Sequence, residues 1–106
     1  TGKQFNTLVE RYSLKLSRLT NELELHNGFQ FKDGLNVDTV KFHPFSQCTP
    51  GGLYFIDSSS EGDWIKYNDK VMTYRRNVMV PDDALVYIET NKFKADKIIL
   101  GQREKL

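Results

Sequence analysis

The stretch Cys48-Thr49-Pro50-Gly51-Gly52-Leu53-Tyr54-Phe55 decides how this chain folds. A glycine pair after a proline lets the backbone turn sharply, because no Cβ restricts φ at either glycine. The apolar run Leu53-Tyr54-Phe55-Ile56 follows directly and has the size and composition of a buried strand. Such a turn serves either as a plain hairpin corner or as the floor of a pocket, where missing side chains admit a ligand or a second backbone. Gly51, Gly52 and Tyr54 are therefore the candidate binding residues, and whether Tyr54 faces core or cleft separates the two readings.

Working outward toward the N-terminus, Phe5, Leu8 and Val9 predict a short amphipathic helical turn over Lys3 to Val9. Tyr12, Leu14 and Leu16 alternate with Ser13, Lys15 and Ser17, a period of two that predicts a half-buried strand broken at Thr20-Asn21-Glu22. Phe29 and Phe31 predict a second short strand, ended by the turn pair Asp33-Gly34. Leu35 to Pro50 reads as a long irregular connection, of the kind that carries function or packs as a compact loop.

On the C-terminal side, Asp57-Ser58-Ser59-Ser60-Glu61 offers N-caps for a short helix with Trp64, Ile65 and Tyr67 as its apolar positions. Met72, Tyr74, Val78 and Val80 predict a strand, bulged near Arg75-Arg76-Asn77. Pro81-Asp82-Asp83 is a turn, and the run from Ala84 to Thr90 is expected to pair with the preceding strand as a hairpin. Phe93 to Leu100 reads as the last strand. The whole predicts an α+β domain with a mainly antiparallel sheet of five or six short strands and one or two short helices. Its parts are an N-terminal extension or short helix over 1–11, the module proper over 12–100, and an exit linker or tail over 101–106.

Composition excludes several classes. Fifteen basic and fourteen acidic residues leave a net charge of +1, which gives no general electrostatic attraction to nucleic acid or anionic lipid. Apolar runs are far too short to span a bilayer, and no secretory signal opens the chain. The chain opens without Met, as a fragment of a longer protein does, and Thr1-Gly2 is a candidate cloning remnant. A single cysteine, Cys48, forbids an intrachain disulfide and suggests a reducing compartment. One cysteine with His26 and His43 makes no ordinary zinc site, so no metal is expected.

The candidate chemical groups each have a structural alternative. His26 reads first as a hydrogen-bonded turn residue, and Cys48 as a small packed side chain. Glu89 lies inside an apolar strand, on one face with Tyr87 and Leu85, where the sheet can aim its carboxylate; an exposed edge explains it as well. Arg75, Arg76, Lys66, Lys70 and Lys97 with Tyr67 and Tyr74 suggest a basic aromatic patch, but Glu61, Asp63 and Asp69 interrupt it. A solvated face of snorkelling side chains is the simpler account, so nucleic acid is not the expected partner.

With these motifs laid out, Leu19-Thr20-Asn21, the run from His26 to Asp38, the stretch from Cys48 to Phe55, Val80-Pro81-Asp82-Asp83-Ala84 and the run from Phe93 to Leu100 resemble the N-terminal module of many giant-virus (mimivirus-type) proteins. That module commonly precedes ankyrin repeats. The resemblance implies a non-enzymatic protein-recognition or assembly module of the host-cell cytoplasm or the virion, with a protein partner and no cofactor. A second pattern is more chemical. His26 with Gly28, Gly34-Leu35, the Gly52-to-Phe55 run and Glu89 on a late strand are similar to ADP-ribosyltransferase-type domains. That likeness implies NAD as cofactor, with His26 and Tyr54 holding the nicotinamide-ribose part and Glu89 polarising a ribose hydroxyl or the acceptor.

Overall fold

The computed structural model describes residues 1–21, 24–26, 29–38, 52–61, 66–67, 70–89 and 92–105. In chain order the elements are α1 (Gly2–Arg11), β1 (Leu16–Thr20), β2 (Leu25–His26), β3 (Phe29–Gln30), β4 (Gly34–Val37) and β5 (Leu53–Asp57). A 3₁₀ turn (Ser58–Ser60) leads to β6 (Lys66–Tyr67), β7 (Lys70–Val71), β8 (Tyr74–Met79), β9 (Val86–Ile88), β10 (Phe93–Ala95), β11 (Lys97–Leu100) and β12 (Glu104–Lys105). The main sheet runs β4-β11-β8-β1-β5-β10-β9, with β12 against β8, and β2-β3 and β6-β7 are separate hairpins. All these pairings are antiparallel. The α+β class is as the sequence predicts, but the main sheet holds eight strands rather than five or six.

The expected last strand is two strands hinged at Asp96. β10 pairs with β5 and β9, whereas β11 pairs with β8 and β4. One bent strand thus joins both flanks of the sheet, and β8, β1, β5 and β10/β11 curl into a ring, the bend making the corner. The inner side of that ring holds Leu16, Leu53, Phe55, Val78, Ala95, Ile98 and Leu100. Alternation supplies these positions: in β5, Leu53 and Phe55 face inward and Tyr54 faces out.

Helix α1 covers the core with Phe5, whose ring meets Phe55 at 5.8 Å and Phe93 at 5.2 Å, both edge-on. A capping box starts the helix, the Thr1 hydroxyl accepting from the Gln4 N–H, which satisfies an orphan donor of the first turn. The helix then seats on the Pro81–Asp83 turn. Gly2 N–H donates to the Ala84 carbonyl at 2.7 Å and Lys3 N–H to the Asp82 carbonyl at 3.0 Å. A Cβ on Gly2 would stand 1.8 Å from the Pro81 carbonyl oxygen, so Gly2 is part of the packed fold.

Five local expectations are corrected. Tyr12, Leu14 and Leu16 do not form one strand: α1 extends to Arg11, Tyr12 is its C-cap, and Ser13 turns the chain with φ 52° before β1 begins at Leu16. The connection predicted over Leu35 to Pro50 begins as a strand, because β4 pairs residue by residue with β11 from Leu100↔Gly34 to Lys97↔Val37; residues 39–50 lie outside the described residues. Tyr67 lies in β6 rather than a helix, while Trp64 and Ile65 lie outside the described residues. The runs on either side of Pro81 do not pair as a hairpin, since β8 is enclosed by β1 and β11 and β9 pairs with β10. The bulge expected at Arg75-Arg76-Asn77 is displaced too. β8 matches β1 residue for residue, and the extra residue lies in the facing strand, where 101–103 oppose 76–77.

Candidate functional site

Gly52 stands at the entry of β5 with φ +105°, a conformation that favours glycine. Its N–H donates to the Asp38 carboxylate at 2.6 Å. A Cβ there would approach Lys94 Cδ to 2.8 Å. The glycine therefore makes room for the Lys94 side chain, which is fully buried, with 0% exposure. Lys94 pairs in register with Tyr54 on one side and Tyr87 on the other. This places the three side chains in one row on the outer face of the sheet. The Lys94 ammonium lies 5.9 Å from the Tyr54 ring centroid and 5.7 Å from that of Tyr87. Lys92 Nζ sits closer, 4.4 Å from the Tyr54 centroid, well within cation–π range.

Glu89 follows Tyr87 by two positions and so shares this face. Its N–H donates to the Lys92 carbonyl at 2.9 Å. The side chain is 8% exposed, and both carboxylate oxygens are buried without a hydrogen-bond partner. A buried carboxylate left without a donor is energetically costly.

Tyr54 and Glu89 thus lie on the same sheet face, and Tyr54 is half-buried opposite the core-facing Phe55. His26 is described as a backbone position of β2, opposite Phe29; a convergence of its imidazole with Tyr54 and Glu89 lies outside what is described. Gly51, His43 and Cys48 also lie outside the described residues. Lys92 and Lys94 were not singled out by sequence reasoning. Strand alternation between Phe93 and Ala95 does put Lys94 on the outer face, but only Gly52, diagonal to it at the entry of β5, reveals that its stem is packed.

A second polar cluster surrounds Arg76, which shares the core-facing side of β8 with Val78. Arg76 grips Glu24 with both ends of its fork, Nε to Oε2 at 2.7 Å and Nη2 to Oε1 at 2.8 Å. Its Nη1 donates to the Gly101 carbonyl at 2.8 Å and to the Asp33 carboxylate. Thr20 donates to Glu24 at 3.2 Å, and Arg103 approaches it at 3.6 Å. The hydrogen bond from Arg76 holds the Glu24 carboxyl below its ordinary value, against the opposing effect of burial, and Glu24 raises the Arg76 value in return. Glu24 itself sits at φ +54°, a backbone strain that the bidentate pair offsets. Beside it, Arg18 donates to the Tyr54 carbonyl at 2.8 Å and lies over the Phe31 ring at 4.5 Å.

The solvated face expected at Arg75 and Arg76 is corrected at Arg76, and the continuous basic surface that the alternative reading needs around Arg75, Arg76 and Lys97 is interrupted by carboxylates. Arg76 is buried. Arg75 pairs with Glu61 at 3.3 Å and Lys97 with Asp83 at 2.9 Å. Each cation is spent on a carboxylate rather than presented as one continuous surface.

The fold and this face define a small antiparallel-sheet module with aromatic and charged side chains ordered on its outer side. Comparison with known proteins places it further. The chain is 36% identical over 94 residues to uncharacterized protein R869 of Acanthamoeba polyphaga mimivirus, a match covering 86% of this chain and 68% of that protein. The chain belongs to this family of mimivirus proteins. It is also 31% identical over 109 residues to putative ankyrin repeat protein R868 and 33% identical over 90 residues to putative ankyrin repeat protein R896, both of the same virus. Those matches cover 95% and 83% of this chain but 52% and 27% of the relatives, so the chain spans about half or less of the ankyrin-named proteins. No protein-family model and no solved structure matches the chain. Among the described residues, no helix is long and apolar enough to cross a membrane.

Proposed function

We propose that the chain is a non-enzymatic protein-recognition or assembly module of a giant-virus protein, of the kind that stands ahead of ankyrin repeats and works in the host-cell cytoplasm or the virion. The observation that carries this reading is the reach of the matches. Proteins named for ankyrin repeats resemble nearly all of this chain, while it accounts for only 27–52% of their length in R896 and R868. A unit that recurs beside repeat arrays, whose stacked repeats offer extended binding surfaces, suits a role in selecting or holding partners. On this reading Gly51, Gly52 and Tyr54 belong to the recognition face, and no cofactor takes part.

The test is quantitative affinity purification of the chain from infected amoebal cells, beside its Tyr54→Ala variant. The expected outcome is a protein recovered in near-stoichiometric amount by the native chain and depleted several-fold by the variant. A second reading, an ADP-ribosyltransferase-like domain using NAD through His26, Tyr54 and Glu89, is favoured by one observation: Tyr54 and the unpartnered Glu89 carboxylate share a sheet face. Nicotinamide release from NAD by the purified chain, lost in Glu89→Gln, would establish that reading and sink the first.

A further inference from the structure

Strand β9 ends the main sheet on one side. Glu89 N–H bonds to Lys92, and Leu85 exchanges two bonds with Asp96, its carbonyl accepting from the Asp96 N–H and its N–H donating to the Asp96 carboxylate. In an antiparallel ladder, alternate residues point their backbone groups toward the neighbour. Leu85, Tyr87 and Glu89 therefore turn theirs to β10, and Val86 and Ile88 turn theirs outward. Among the described residues nothing pairs with those outward groups. Leu85 and Ile88 are each 51% exposed beside this edge, and Glu89, 8% exposed, brings a carboxylate with no donor.

We propose that the β9 edge receives an extended peptide segment of a protein partner, and that this segment carries a basic residue for Glu89. The added strand would pair with the outward N–H and C=O groups of Val86 and Ile88 and lay apolar side chains against Leu85 and Ile88. Strand addition of this kind takes affinity from main-chain bonds and specificity from alternate side chains. The residue facing Glu89 is specified by charge: a guanidinium or ammonium supplies the donors that the carboxylate lacks. The Lys92 ammonium does not supply them, because it is placed on the Tyr54 ring. The opposite edge, β4, also presents apolar side chains in Leu35 and Val37, but among the described residues no unpartnered polar group there specifies an occupant.

This inference rests on the recognition reading and names the surface and the partner chemistry. Its test titrates the whole chain with the peptide acetyl-Thr-Val-Arg-Val-Thr-amide and with the same peptide carrying Gln for Arg, followed by backbone amide NMR. The Arg peptide is expected to bind about tenfold tighter or better, the ratio typical of one charge-assisted hydrogen-bonded pair. Shifts should centre on residues 85–89. Glu89→Gln, which keeps the side-chain shape, should abolish the difference between the peptides. Ile88→Lys, an edge charge that blocks strand addition, should abolish binding of both. Equal affinity of the two peptides, no binding at millimolar concentration, or shifts centred on β4 would overturn the inference. Any of these leaves the recognition reading intact if a partner is still captured through Tyr54, so the two failures are distinguishable.

Discussion

At the scale of single residues, Gly52 shows how a sequence feature keeps its importance while changing its meaning. The Pro-Gly-Gly turn reads from sequence as a hairpin corner or a pocket floor. The structure gives Gly52 a positive φ and a buried lysine stem in the space a Cβ would fill. Gly52→Ala is expected to destabilise the fold by about 1–3 kcal/mol through backbone strain and crowding, read as a lower urea midpoint. The Glu24–Arg76 pair behaves differently. Glu24 ionises at lower pH in the folded chain than in the unfolded one, chiefly through the Arg76 hydrogen bond. Its stabilisation is therefore fully present above the ordinary value of 4.5 and is lost as pH falls through the depressed folded value. Urea midpoints measured from pH 7 down to about 3 should fall less steeply in Glu24→Gln than in the native chain. Arg76→Ala, which leaves Glu24 buried without its partner, should cost roughly 3–5 kcal/mol at neutral pH.

At the scale of elements, what was legible in sequence were segments with one strong periodic or capping signal. Leu53 to Ile56 lies in a strand because four apolar residues follow Gly52, whose positive φ lets the chain turn into β5. The Pro81–Asp83 turn forms because proline presets φ, and Ala84 N–H closes it on the Pro81 carbonyl at 3.0 Å. The segment around Tyr12 misleads because a period of two also arises where a helix ends and a strand has not begun. Helix α1 outlasts its apolar pattern because its N-terminus is anchored by the 81–84 turn. Asn6 strengthens that anchor by donating to the Val80 carbonyl at 2.7 Å and the Asp82 carboxylate at 3.0 Å. Replacing Gly2 with Ala pushes a methyl into the Pro81 carbonyl and should loosen this docking by about 1–3 kcal/mol. Hydrogen exchange checks it: amides of α1 should lose protection well before those of β1 and β8.

At the scale of the whole molecule, Asp96 is the corner that makes one sheet out of two flanks. Its carboxylate accepts from Leu85 N–H at 2.8 Å, its N–H donates to the Leu85 carbonyl at 3.1 Å, and its carbonyl accepts from Asp38 N–H at 2.9 Å. Three strands, β4, β9 and the bent β10/β11, are thereby tied at one residue. Asp96→Ala removes only the side-chain bond and should cost about 1 kcal/mol. Because one core runs through both flanks, unfolding should stay a single transition, with far-UV circular dichroism and fluorescence giving the same urea midpoint. Separate midpoints would show that the flanks are independent units. Neither the corner nor the ring is legible in the sequence, where Phe93 to Leu100 is one apolar-rich run with a single aspartate inside it.

The α+β class, the positions of the strongest strands and turns, and the membership of this family of mimivirus proteins are written in the chain itself, because local backbone preference and side-chain pattern are carried by neighbouring residues. It also put Tyr54 on a strand, whereas Glu89, read as a strand residue, stands one position past the end of β9. Long-range packing alone brings these two onto one face, buries Arg76 against Glu24 rather than displaying it, and leaves β9 as an edge among the described residues. Those outcomes depend on register between segments far apart in the chain. A shift of one residue in any pairing would send every side chain of that strand to the opposite face, and no single segment encodes which partner it will meet.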